Sequence, residues 1–208
     1  MQQSPPPTAN MKNSPQSRLR KLRTWQSGKQ KNQLKEVTKN GVSKELIDLA
    51  SNDYLGLRKH PNLIEAAKSV MDLEGVGSGG SRLVTGSLRI HMELEESLAK
   101  WLGQDSAMLF PSGFQANLAA VLALANKATP VIADRYIHHS LLIGIKASNA
   151  KLQRFAHNDP CDLEKKLTIA RRKETQEKPL VITESLFSME GTNPPLKEIS
   201  ILCEKYDA

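Results

Sequence analysis

Cysteine and aromatic residues are scarce in this chain, and no long apolar run is present. Cys161 and Cys203 are its two cysteines, 42 positions apart. Neither belongs to a CxxC pair or has a histidine at ligand spacing. They therefore read as reduced thiols of a cytoplasmic protein, without a disulfide framework and without a metal centre. The longest clean apolar stretch, Leu118–Ala125, has eight residues, far short of the roughly 20 that cross a bilayer. No charged-then-apolar start marks a secretory signal. With 12 glycines and 11 prolines in 208 residues, and 39% hydrophobic content, collagen-like and wholly disordered classes are excluded. The Ser/His/Asp and Cys/His spacings of hydrolases are missing too, as is the G-K-[ST] of a P-loop.

Acidic residues are nearly absent from the first 39 positions, which hold nine Lys/Arg and only Glu36. The net charge of +7 therefore belongs to the amino-terminal segment, and the remainder is close to neutral. A nucleic-acid arm needs stacking aromatics beside its cations, and only Trp25 is there. A transit peptide fits the basic composition, but Pro5–Pro7 and Pro15 oppose an amphipathic helix. The preferred expectation is a disordered leader over 1–17 and a solvated basic segment after it, with no nucleic-acid or membrane partner.

Local patterns divide the rest. Arg18–Trp25 is expected as a short helix, 26–44 as hairpin material around the Asn40-Gly41 turn signal, and Leu46–Ala50 as a strand. Residues 18–60 thus form an amino-terminal helix and hairpin segment. Leu63, Ala67 and Met71 predict a helix. Five glycines between 75 and 87 predict a loop, and Ile90, Leu94, Leu98 and Leu102 a helix capped by Gly103. The chain then alternates. Strands are expected at Ala107–Phe110, Val131–Ala133, Leu152–Phe155 and Leu180–Thr183. Helices are expected at Gly113–Ala125, at His139–Ala147, after Asp159-Pro160, and over 196–206. Such alternation predicts an α/β fold, a mostly parallel sheet with helices on both faces. The last helix feeds no strand, so 61–208 is expected to be an incomplete domain.

Chemistry-bearing residues cluster where strands end. Phe110-Pro111-Ser112-Gly113-Phe114 starts a helix whose free N–H groups suit an anion such as a phosphate. His138 follows the strand at 131–133, at the edge where open α/β sheets bind ligands. Glu184 and Ser188 follow the next strand but one; their bland roles are a cap and a turn hydroxyl. Arg82 suits a bidentate carboxylate or phosphate, or is simply a solvated surface residue. His91 reads as structural, and His60 and His157 have no evident partner.

Ser51-Asn52-Asp53-Tyr54-Leu55-Gly56-Leu57, Gly77-Ser78-Gly79-Gly80-Ser81-Arg82, Thr85-Gly86, Leu94-Glu95, Pro111–Asn117, His138 with Ser140-Leu141, and Thr183-Glu184 with Phe187-Ser188-Met189 occur in that order. Together they resemble the α-oxoamine synthases, fold-type-I pyridoxal phosphate enzymes that join an amino acid to an acyl thioester. The resemblance covers about residues 18–208 and is strongest, in the 77–86 loop, to the biotin-synthesis branch. It implies a PLP-dependent acyltransferase that condenses L-alanine with pimeloyl thioester (on CoA or acyl carrier protein), releasing CO2 and free thiol, as a homodimer in full-length form. It further implies that Gly113 and Phe114 bind the cofactor on its phosphate side and that His138 stacks on the pyridine ring and places substrate. Ser188 would meet the cofactor's phenolic oxygen, with Glu184 in support, and Asn52 and Arg23 would meet substrate. Ser188-Met189-Glu190-Gly191-Thr192 departs from the family's usual Ser-Met-Asp-Gly-Asp. No lysine here matches the family's Schiff-base position, so this chain alone is expected to be inactive. The aminoketobutyrate-ligase branch and a non-catalytic binding module are the alternatives.

Overall fold

The computed structural model describes residues 22–28, 32–38, 41–172 and 177–208, with backbone only at 42–44. The leader expected over 1–17, residues 18–21 of the expected helix, and Asn40 of the turn signal lie outside the described residues. The chain divides into two compact units, meeting in sequence at Ser81/Arg82.

In the first unit, β1 (Thr24–Ser27), β2 (Gln33–Thr38) and β3 (Gly41–Ile47) form an antiparallel meander. Trp25 pairs with Glu36 in this sheet. The short helix expected to end at Trp25 is therefore corrected: its last two residues are strand. Cross-strand pairing overrides the weak helical propensity of so short a segment. Leu46 and Ile47 end β3, so no separate strand spans Leu46–Ala50. Helix α1 (Pro61–Glu74) starts with proline at its first position, where the missing N–H costs nothing, and its side chains are not buried among the described residues.

The second unit begins with α2 (Arg89–Leu102). Gly103 ends it at φ +63°, with its N–H on the Lys100 carbonyl and that of Gln104 on Ala99, the paired bonds of a Schellman cap. Arg82 grips Glu95 of this helix through both guanidinium ends, at 2.6 and 2.9 Å, and Glu95 accepts the Leu109 N–H at 2.7 Å. The solvated-arginine reading of Arg82 is thereby replaced by an internal clamp. Ala107–Phe110 pairs with no strand among the described residues, which corrects the strand expected there.

Helix α3 (Gly113–Leu124) leads into an alternating run: β4 (Pro130–Asp134), α4 (His139–Ala147), β5 (Lys151–Phe155), α5 (Pro160–Arg172), β6 (Leu180–Ile182) and α6 (Leu196–Lys205). The three strands form a parallel sheet in the order β5-β4-β6. Central β4 is buried from Val131 to Asp134, and its period of two divides the core. Val131 and Ala133 pack with Val121, Ile145 and Ile182 beneath α3 and α4. Ile132 packs with Phe155, Leu163, Leu167 and Ile199 beneath α5 and α6. Helices thus cover both faces of a parallel sheet, the α/β architecture expected from the alternation.

Candidate functional site

Three turns leave the carboxyl ends of β4, β5 and β6. Asp134, the last residue of β4, is fully buried. Its Oδ1 accepts the Tyr136 N–H at 2.9 Å and the His157 ring at 2.9 Å, and its Oδ2 accepts the Asn158 N–H at 2.9 Å. A buried carboxylate needs this many donors, since an unpaired one is costly. His157 was expected to have no partner; it is in fact the hub of the region. Its Nδ1 donates to Asp134, while its Nε2 meets Thr192 Oγ1 at 2.8 Å and the Asn158 amide at 3.2 Å. The ring lies against Tyr136 at 4.8 Å and edge-on to Phe187 at 4.5 Å.

The turn after β6 is closed from within. Phe187 donates its N–H to the Thr192 carbonyl at 2.9 Å, and Gly191, at φ +66°, returns its N–H to Phe187 at 2.7 Å. Phe187 is buried, which leaves Ser188, Met189 and Glu190 exposed at the tip. Thr192, standing where the resemblance expects aspartate, still supports this turn, through its backbone and through His157.

The β4 and β6 turns meet directly. Glu184 Oε1 accepts the His138 backbone N–H. His138, Glu184, Phe187 and Ser188 line one hollow of about 200 Å³. His138 is also the N-cap of α4, with its ring in place of the usual hydroxyl: Nδ1 accepts the Ser140 N–H at 3.2 Å and lies 2.7 Å from Ser140 Oγ. Buried Ser140 in turn receives the Asn117 amide at 2.9 Å, which links α3 to α4.

Of the residues expected at the site, His138, Glu184 and Ser188 are brought together. Gly113 and Phe114 lie at the start of α3, one turn before Asn117, and are not in the wall of this hollow. Ser112 caps that helix by accepting the Gln115 N–H at 3.2 Å. The Gly113 and Phe114 N–H groups have no acceptor among the described residues, and a Cβ at Gly113 would meet nothing within 4 Å. Asn52 and Arg23 belong to the first unit. Asn52 is exposed in the loop after β3. Arg23 lies 3.9 Å from Glu36 across the hairpin.

This donor set fits pyridoxal phosphate: free N–H groups at a helix start for an anion, an exposed imidazole to lie on a planar ring, and an exposed hydroxyl at Ser188. A buried Thr183 hydroxyl without a partner among the described residues adjoins Glu184. Asn117, Asp134, Ser140, His157 and Thr192 were not singled out for roles from sequence. Only Ser140 left a local signal, a hydroxyl at the second position of the helix that follows His138.

The aminotransferase class I and II family profile matches residues 44–208. Among curated relatives, 8-amino-7-oxononanoate synthase of Enterobacter sp. is 41% identical over 182 residues, covering 84% of this chain and 46% of its own length. That of Klebsiella pneumoniae is 48% identical over 153 residues, covering 74% and 39%. Among solved structures, a PLP-bound serine palmitoyltransferase of S. paucimobilis superposes with a TM-score of 0.81 at 32% identity, over 89% of this chain and 44% of that one. For 8-amino-7-oxononanoate synthase of Francisella tularensis the TM-score is 0.59 at 32% identity, over 76% and 42%. The chain spans about half the length of the curated relatives it matches, or less. The motif order, the turns at the sheet's carboxyl edge and these similarities agree: the chain belongs to the aminotransferase class I and II family and, within it, to the pyridoxal-phosphate-dependent α-oxoamine synthases.

Proposed function

We propose that this chain is the amino-terminal part of an 8-amino-7-oxononanoate synthase, which condenses L-alanine with a pimeloyl thioester in biotin synthesis. In the complete enzyme it works in the cytoplasm as a homodimer. The observation that supports this most is the meeting of His138, Glu184 and Ser188 at the sheet's carboxyl edge, in a chain 40–48% identical to relatives bearing that name.

Pyridoxal phosphate, when bound, supplies an electron sink for carbanion chemistry at the amino-acid α-carbon. The chain's own residues bind and orient. Gly113 and Phe114 offer two N–H groups to the phosphate. His138 covers one face of the ring and helps place the amino acid. Ser188 donates to the phenolic oxygen. Glu184 holds the His138 backbone, so the stacking residue and the hydroxyl keep a fixed separation. Asn52 and Arg23 act on the substrate side. Residues 1–17 serve as a leader, 18–60 as an amino-terminal segment and 61–208 as part of the cofactor domain.

The tighter superposition on serine palmitoyltransferase favours a second reading, with serine and a longer acyl thioester as substrates. One chimera separates the two: residues 1–208 joined to the carboxy-terminal part of the Enterobacter relative. Formation of 8-amino-7-oxononanoate from L-alanine and pimeloyl-CoA by the chimera, and none by residues 1–208 alone, is expected. A preference for serine or glycine, or robust product from the chain alone, contradicts the proposal.

A further inference from the structure

The hydrogen bonds at His138 have only one consistent direction. The Ser140 backbone N–H can only donate, so Nδ1, at 3.2 Å from it, must carry a lone pair. Ser140 Oγ, 2.7 Å from the same nitrogen, must then donate its proton there. Its oxygen lone pairs are left to accept, and the Asn117 amide donates into one of them at 2.9 Å. The relay runs one way: Asn117 N–H to Ser140 oxygen, Ser140 O–H to His138 Nδ1. In a neutral ring the proton then resides on Nε2.

We propose that Asn117 and Ser140 are positioning residues that lock His138 in its Nε2–H form, so that the ring presents a single donor to the hollow it shares with Glu184 and Ser188. The inference rests on His138 serving the active site as proposed above. Ser140 is fully buried, so water does not compete for its hydroxyl, and the direction of the relay is fixed by its protein partners. Without the relay only the longer Ser140 backbone N–H contact, at 3.2 Å, opposes the Nδ1–H tautomer, in which Nε2 turns from donor to acceptor. His157 supplies an internal contrast. Its Nδ1 faces the Asp134 carboxylate, and so it holds the opposite tautomer.

Long-range proton–nitrogen NMR on the 15N-labelled 208-residue chain reads both rings directly. The expected result is His138 protonated at Nε2 by at least about tenfold over Nδ1, and His157 protonated at Nδ1. Asn117→Asp keeps the shape but turns a donor into an acceptor. It should draw the Ser140 proton away and raise the Nδ1–H share of His138 about tenfold, leaving His157 unchanged as the control for folding. Ser140→Ala should act in the same direction. In the chimera, Asn117→Asp should lower kcat/KM for the amino acid about tenfold while KM for the acyl thioester stays put. A wild-type ring protonated at Nδ1, or Asn117→Asp leaving the His138 ratio unmoved in a folded chain, overturns the proposal. If a variant does not fold, the wild-type ratio alone decides. The locked tautomer in a chain whose chimera ignores alanine would instead refute the functional reading and leave this one standing.

Discussion

His138 and His157 sit on neighbouring turns, and their partners set them apart. His157 faces a buried carboxylate, and His138 faces a backbone N–H. The position of His138 after a strand was legible in the sequence. Its tautomer was not, because Asn117 approaches from another helix. Glu95 illustrates the same limit: Arg82 and Leu109 reach it from 13 and 14 positions away. The Arg82 hydrogen bond, and after it the Leu109 N–H, hold the Glu95 carboxyl down at about 2, from 4.5. A depressed carboxylate stabilises the fold above its ordinary value, and that contribution fades as pH falls through the folded value. The difference in melting temperature between wild type and Glu95→Gln should therefore be full above about pH 5 and should close toward pH 2. A difference that is flat with pH contradicts the clamp. Gly144 makes a second case. A Cβ there would lie 2.9 Å from Val121 Cβ, an atom that no rotamer change can move. Gly144→Ala gains up to about 1 kcal/mol of helix propensity but overpacks α3 against α4 at a cost of about 1–3 kcal/mol. Chemical denaturation should show a net loss of stability.

Elements with strong periodicity and a clear partner were read well, and those that depend on distant pairing were not. Helix α4 has the expected bounds, His139–Ala147; in the structure the His138 ring caps its start and its apolar side packs on β4. Ala107–Phe110 has strand-like composition, but a strand exists only where a neighbour pairs with it, and none does among the described residues. Trp25 failed in the opposite sense, since pairing with Glu36 overrode a helical reading. The Ser188 turn depends on partners 35 residues apart, His157 and Thr192. Thr192→Val keeps the side-chain shape and removes that bond. It should cost about 1–2 kcal/mol and speed amide exchange at Phe187 and Gly191, while β4 amides stay protected. Equal acceleration in β4 would show that the turn does not open on its own.

The parallel pairing of β4, β5 and β6 and the helices on both faces follow the strand–helix alternation, which leaves few topologies, whereas the fourth strand expected at Ala107–Phe110 does not pair among the described residues. No helix among the described residues is long and apolar enough to cross a membrane. Large apolar side chains nonetheless remain open in the second unit, with Trp101 80% and Met108 74% exposed. Exposed apolar surface of this kind seeks cover. The isolated chain should bind a hydrophobic dye strongly, and the chimera should bind markedly less; equal binding by both contradicts that expectation. The central claim is that Gly113, Phe114, His138 and Ser188 hold one cofactor. Pyridoxine 5'-phosphate tests it most directly, because its alcohol cannot condense with the chain's lysines. Titrated into the 15N-labelled chain up to a few mM (about −4 kcal/mol of binding free energy at 1 mM), it should shift the amides of those four residues together. Shifts confined to other residues, or no shift at all, would contradict the claim.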